Sequence, residues 1–242
     1  LQDLEQDSPE QVIRVSREVD PNIEVTAVLD KLEKEQQFPV VIFENVKGSN
    51  HSVVTNVHAD ERRHFRAIGL KDANVTEFLK EYGRREEQET EPILVPEGPV
   101  QEVVMTGEDI DVRKLPILNY HELDAGRYIT CGMSIMPDPD TGVLNAGIYR
   151  LMVHDRNSLG VQISETAHGH YIWKIHEERD QPTPVAVVIG HHPAFYLGCL
   201  SFTSLETNEL DVVGGILGEP LEMVKCKTLD LEVPAHAEIV LE

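Results

Sequence analysis

The chain has 242 residues, enough for one large domain or two small ones with a real apolar core. Its hydrophobic fraction of 40% is that of an ordinary globular protein, and no apolar run approaches the roughly 18 residues that cross a bilayer. With 43 acidic against 21 basic side chains the formal charge is −22, which leaves no basic face to track phosphodiesters and argues against nucleic acid as a partner.

Ser8 followed by Pro9 reads as an N-cap and a first-turn proline, predicting a helix over Pro9–Glu18. An amphipathic segment follows from Val25 to Gln36, then an apolar β run from Phe38 to Phe43 and a short strand from Ser52 to Val57. Asp60–Gly69 reads as a helix closed by its glycine, and Asn74–Tyr82 as another helix. The charged stretch Gly83–Glu91 and the segment Pro92–Pro99 read as a linker, which separates an N-terminal α/β region (1–99) from a second part (100–242).

From Val100 onward short alternating or apolar runs are punctuated by turns. Strands are predicted at Gln101–Met105, Arg127–Met136, Gly142–His154, Leu159–Ile163, Val185–Ile189, Glu222–Lys225 and Glu238–Leu241. Pro137–Gly142 is hairpin-turn chemistry between two of them. Helices are predicted near His170–Glu178, Pro193–Cys199 and Asn208–Ile216. Many short strands with few helices suggest an α+β chain with a barrel-like sheet.

The acid excess reads as a surface tuned for solubility, with a salt-adapted source as the sharper alternative. With no basic segment ahead of an apolar stretch, the expectation is a cytoplasmic protein. Cys131, Cys199 and Cys226 are odd in number and lack CxxC spacing, so they read as buried free thiols rather than a disulfide or zinc framework.

Three groups of residues invite a chemical reading. Asn145-Ala-Gly-Ile-Tyr-Arg150, if extended, spans roughly 16 Å, about the reach from a flavin nucleotide's phosphate to its ring. An ordinary strand with a surface arginine has the same pattern. His168, His170 and His176 fall near Trp173, and a helix there puts His168 and His176 about two turns apart on one side. Histidine with a carboxylate and an amide oxygen suits a borderline divalent cation, although scattered surface histidines look no different. Glu209 precedes an apolar run, where it can point inward or sit solvated at a helix start. No GxGxxG after a strand, P-loop, GxSxG or HExxH is present, so the usual nucleotide and nucleophile classes are unsupported.

Eight segments, in order, resemble the UbiD decarboxylase family. They are Pro39–Gly48, Leu115–Ile117, Gly126–Thr130, Asp138–Gly142, Asn145–Arg150, Pro184–Gly190, Gly218–Cys226, and Leu231–Ala235 with Ala237–Val240. The resemblance implies an N-terminal α/β region followed by an FMN-binding split β-barrel that holds prenylated FMN, with manganese and potassium at the phosphate. It implies Asn145, Glu209 and His168 as metal ligands, with His170 the fallback for the histidine. It implies Ile148, Tyr149, Arg150, Gln162, Ile163, Ser164, Ala167 and His168 as cofactor contacts, Arg150 also being the arginine that holds the substrate carboxylate. Potassium falls near the backbone of Cys199 and Ser201. The implied activity is reversible, non-oxidative decarboxylation of an aromatic, heteroaromatic or α,β-unsaturated acid. A flavin prenyltransferase would supply the cofactor, and the family's C-terminal part would bring homo-oligomerisation. In the family the catalytic acid lies beyond the position of Glu242, so this chain alone is expected to bind cofactor weakly. The alternatives are a non-catalytic flavin-binding or assembly module and a plain FMN split-barrel reductase.

Overall fold

The structure, a computed structural model, describes residues 1–242. In chain order the first half contains α1 (Gln2–Asp7), β1 (Val12–Val15), α2 (Glu24–Lys34), β2 (Val40–Phe43), β3 (Val53–Thr55), α3 (Glu61–Ala67), α4 (Val75–Glu86) and β4 (Ile93–Leu94). Then come β5 (Tyr128–Ile129), β6 (Met133–Pro137), β7 (Leu144–Ile148), β8 (Leu151–Asp155), β9 (Ser158–Val161) and α5 (His168–Glu178). The chain ends with β10 (Ala186–Ile189), α6 (Pro193–Cys199), α7 (Glu209–Leu217), β11 (Glu222–Lys225), β12 (Glu232–Pro234) and β13 (Ile239–Leu241). Two compact units interleave along the sequence: Leu1–Arg63, Met105–Ile129 and Leu151–Gly160 form one, and His64–Val104, Thr130–Arg150 and Val161–Glu242 the other.

In the first unit, β1 pairs parallel to β2, which pairs antiparallel to β3. The helix expected over Pro9–Glu18 is therefore corrected: Pro9–Gln11 makes a single 3-10 turn and the chain then extends. Val12, Ile13 and Val15 are β-branched, a class that loses rotamer freedom in a helix and packs well on a pleated ladder. All four residues of β2 are buried. Val19, Val25, Val41, Phe43, Val46 and Leu118 form the core there, and β5, β8 and β9 make a second small sheet.

The second unit carries an antiparallel sheet in the order β13-β10-β6-β7 and a smaller one in the order β12-β11-β4, with β4 parallel to β11. Both are open, and no closed barrel is present; the mixed α and β class stands. Helices α6 and α7 pack on the core of Met133, Ile135, Val188, Phe195, Leu210 and Val213. Their close approach needs glycine, because a Cβ on Gly198 would lie 2.6 Å from Val213 Cα.

Three further expectations are corrected here. Helix α4, opened by an Asn74/Glu77 capping box, runs through Gly83 to Glu86, and Arg85 Nη1 ties it to the Ile216 carbonyl at 2.8 Å. Ile93 and Val95 donate to the Leu221 and Met223 carbonyls, so part of the expected linker is sheet. Gln101–Met105 is no strand: its first residue ends the 3-10 turn Pro99–Gln101, and its Val103, Val104 and Met105 side chains are exposed. All three cysteines are free, but only Cys199 is buried; Cys226 is half-buried and Cys131 exposed. No helix is long and apolar enough to cross a membrane.

Candidate functional site

The site lies in the second unit, where α7 meets the edge strand β7. The register pairs Met136 with Asn145 and Ser134 with Gly147 on one face of the β6–β7 hairpin. Met133, Ile135 and Ala146 point to the other face and join the apolar core. The hairpin is closed as its turn chemistry predicts. The Asp138 carboxylate accepts from the backbone N–H groups of Asp140 and Thr141, and Gly142 takes a left-handed φ of 76°.

Because β7 ends its sheet, the outward N–H of Ala146 has no strand partner and must find another acceptor. It donates to Glu209 Oε2 at 3.1 Å. Glu209, the first residue of α7, is 3% exposed, and Asn208 caps the helix through a bond from Leu210 N. Glu209 Oε1 accepts from Asn145 Nδ2 at 3.0 Å and from Thr203 Oγ1 at 2.9 Å, with His168 Nδ1 at 3.7 Å. Glu209 is thus the inward-pointing carboxylate, placed at the positive end of a helix. Asn145, His168 and Glu209 come together although 64 residues separate the first from the last.

His168 opens α5, two residues ahead of His170, which instead packs edge-on against Trp173 at 5.2 Å. His176, two turns along α5, is buried with both ring nitrogens unpartnered. The hydroxyl of Tyr149 accepts from Gly169 N at 3.2 Å. Its ring lies where only glycine fits: a Cβ on Gly169 would meet Tyr149 Oη at 2.5 Å, and one on Gly147 would meet it at 2.8 Å. Burial pushes the Tyr149 phenol above its ordinary range. Burial, reinforced by the Glu209 carboxylate, holds the Cys199 thiol well above its own ordinary range.

Arg150 lies beyond the end of β7, which corrects the picture of one strand running from Asn145 to Arg150. Its guanidinium is exposed and donates to the carboxamide oxygen of Gln162. Ile148 closes β7, half-buried; Ser164 and Ala167 lie on the segment leading to α5, where Ala167 is the N-cap. Ile163 lines a cleft of about 610 Å³ together with Met136, Val161, Trp173 and Gln181. Asn145, His168 and Glu209 do not line this cleft. Met136 connects the two regions, since its Cε would lie 2.7 Å from a Cβ on Gly169.

Asn145 Oδ1 is the telling atom, because it is buried and has no hydrogen-bond partner. A buried unsatisfied carbonyl costs about 1–3 kcal/mol, so its place beside a carboxylate and an imidazole calls for a ligand. No group of three or more His, Cys, Asp or Glu side chains that could hold a metal ion is present, and a donor set at this place would have to include the Asn145 amide oxygen. Amide oxygen, carboxylate and imidazole fit a borderline divalent cation such as manganese.

The sequence model of the 3-octaprenyl-4-hydroxybenzoate carboxy-lyase Rift-related domain matches residues 93–242, and that of the corresponding N-terminal domain matches residues 2–84. The chain belongs to the UbiD family. A phenolic acid decarboxylase of Sedimentibacter hydroxybenzoicus is 34% identical over 100% of this chain and 52% of its own length. The UbiD-class enzyme HmfF of Pelotomaculum thermopropionicum, solved in complex with FMN, superposes with a TM-score of 0.91 at 36% identity, covering 99% of this chain and 52% of that one. An evolved dimeric form of HmfF, solved with prFMN, gives a TM-score of 0.91 at 36% identity, over 99% and 54% of the two chains. The chain therefore spans about half the length of these UbiD relatives.

Thr203 escaped the sequence reading. It lies in Leu200-Ser-Phe-Thr-Ser204, where nothing in spacing or residue type singles it out. Gly147 and Gly169 flank predicted site residues, but which ring they admit follows only from the fold.

Proposed function

We propose that the chain is the flavin-binding part of a prenylated-FMN-dependent decarboxylase. It would remove CO2, reversibly and without net oxidation, from an aromatic, heteroaromatic or α,β-unsaturated carboxylic acid. The observation that carries this reading is the buried Glu209 carboxylate bound by Asn145, with His168 at its edge and Asn145 Oδ1 unsatisfied. FMN and prFMN complexes of UbiD-class relatives support the flavin.

In this reading Asn145, His168 and Glu209 would hold the manganese through which the flavin is bound, and backbone near Cys199 and Ser201 would hold potassium. Ile148, Tyr149, Arg150, Gln162, Ile163, Ser164, Ala167 and His168 line the cofactor, within a split-barrel part that begins near residue 100. The whole protein is a homo-oligomer fed by a flavin prenyltransferase. When bound, the cofactor supplies the electron sink for the carbanion character left as CO2 departs.

The chain's own residues bind and orient. Arg150 offers a planar pair of N–H donors that matches a carboxylate, and Gln162 holds that guanidinium in place. Tyr149, packed over Gly147 and Gly169, fills space beside the ligands and excludes water from it.

Metal dependence tests the reading. With Mn2+ present, FMN is expected to bind about tenfold more tightly than with EDTA, as a shared cation couples the two sites. Titration followed by flavin fluorescence measures this. An FMN affinity indifferent to Mn2+ would favour the plain FMN reductase instead.

A further inference from the structure

We propose that Thr203 is a positioning residue for Glu209, its hydroxyl fixing the carboxylate in the orientation that takes the divalent cation. The inference rests on the cation reading of the site and adds a residue to it.

Three donors reach the Glu209 carboxylate, and they differ in freedom. Ala146 N is fixed by the backbone of an edge strand. Asn145 reaches it through Nδ2 while its own Oδ1 awaits a partner, so in this reading it is a ligand in its own right. Thr203 Oγ1, at 2.9 Å from Oε1, is the one side chain that holds the carboxylate without being a ligand itself. A hydroxyl has a single proton, so donating it to Oε1 commits the group.

The local chain is built to aim this hydroxyl inward. Phe202 and Leu205 on either side are exposed, Phe202 fully, so packing of neighbours does not draw Thr203 in. Two residues upstream the segment is anchored: Ser201 Oγ lies 2.6 Å from Tyr82 Oη, which also bonds the Leu197 carbonyl at 3.0 Å. Downstream, Thr207 N donates to the Ser204 carbonyl, and Asn208 then caps α7. Thr203 is therefore held between a tyrosine latch and the helix whose first residue it grips. Partners that hydrogen-bond a ligating carboxylate set its orientation, and losing one typically lowers metal affinity about 10- to 100-fold.

The test is Mn2+ titration of the whole protein with FMN present, followed by loss of the free aquo-ion EPR signal, for wild type, Thr203→Val, Thr203→Ala and Thr203→Ser. Thermal unfolding is recorded alongside. The expected result is about tenfold weaker Mn2+ binding in Thr203→Val, which keeps the shape and loses the hydroxyl, with Thr203→Ser close to wild type. Thr203→Ala carries the same expectation should the valine variant fold poorly. Wild-type Mn2+ affinity in folded Thr203→Val or Thr203→Ala, with only the melting temperature lowered, would overturn the proposal and leave a structural bond. Equal losses in the serine and valine variants would also overturn it. Absence of Mn2+ binding by wild type would instead remove the cation reading, and this inference with it.

Discussion

Glu209→Gln is expected to weaken Mn2+ binding by at least about 100-fold, since losing even a hydrogen-bonding partner of a ligand costs about 10- to 100-fold, while the protein still folds. The side chain keeps its shape, but one oxygen becomes an N–H2 that faces donors. If the amide nitrogen replaced Oε2, it would oppose Ala146 N, which the backbone cannot turn away. The less costly arrangement keeps oxygen there and sets nitrogen at the Oε1 position. Asn145 then has to flip its amide to accept, and Thr203 has to rotate its hydroxyl away. One disturbed buried bond is worth about 1 kcal/mol, which for a chain of this size lowers the melting temperature by roughly 2–4 °C. Metal titration with thermal unfolding measures both. Strong Mn2+ binding by the glutamine variant would mean that the carboxylate charge is not what the site uses.

On the proposed reading, Arg150→Lys should lower kcat/KM for the acid substrate about 100-fold while leaving stability close to wild type. Lysine keeps the charge but replaces two parallel N–H donors with a compact ammonium, so the substrate carboxylate is held as a point charge rather than oriented. Misplacing a reacting group by about 1 Å commonly costs on the order of 100-fold. Stability is spared because the guanidinium is exposed and off the strand, with its bond to Gln162 made at the surface. Steady-state kinetics of the whole protein at saturating flavin, with thermal unfolding alongside, measures both. A lysine variant of full activity would remove Arg150 from the substrate carboxylate.

Much of the second unit was legible because turns punctuate it. Glu222–Lys225, bounded by Pro220 and followed by polar residues, is a strand with the expected limits, and Pro193–Cys199 is a helix opened by its proline. The N-terminus misled for a local reason: Ser8-Pro9 does start a turn, but Val12–Val15 finds a partner in Val40–Phe43, and tertiary pairing overrides the cap. The same holds at Ile93–Leu94, where a proline-flanked segment is recruited by β11. Within the site, a resemblance spread over the chain nominated Asn145, His168 and Glu209, and the fold brings them together. Periodicity alone had set Asn145 and Arg150 on one extended strand, but β7 stops at Ile148. What the sequence could not show was support at a distance: Thr203 gripping a carboxylate, or Gly169 making room for a tyrosine ring 20 residues away. Such contacts carry no spacing signal because they join loops to helices through space.

The most direct test of the account is the metal and flavin content of the protein after co-expression with a flavin prenyltransferase, for wild type and for Asn145→Ala. Wild type should carry a flavin absorbance band together with a divalent metal, and removing the orphaned amide oxygen should deplete both in parallel. An Asn145→Ala protein that retains its full complement of metal and flavin would contradict it.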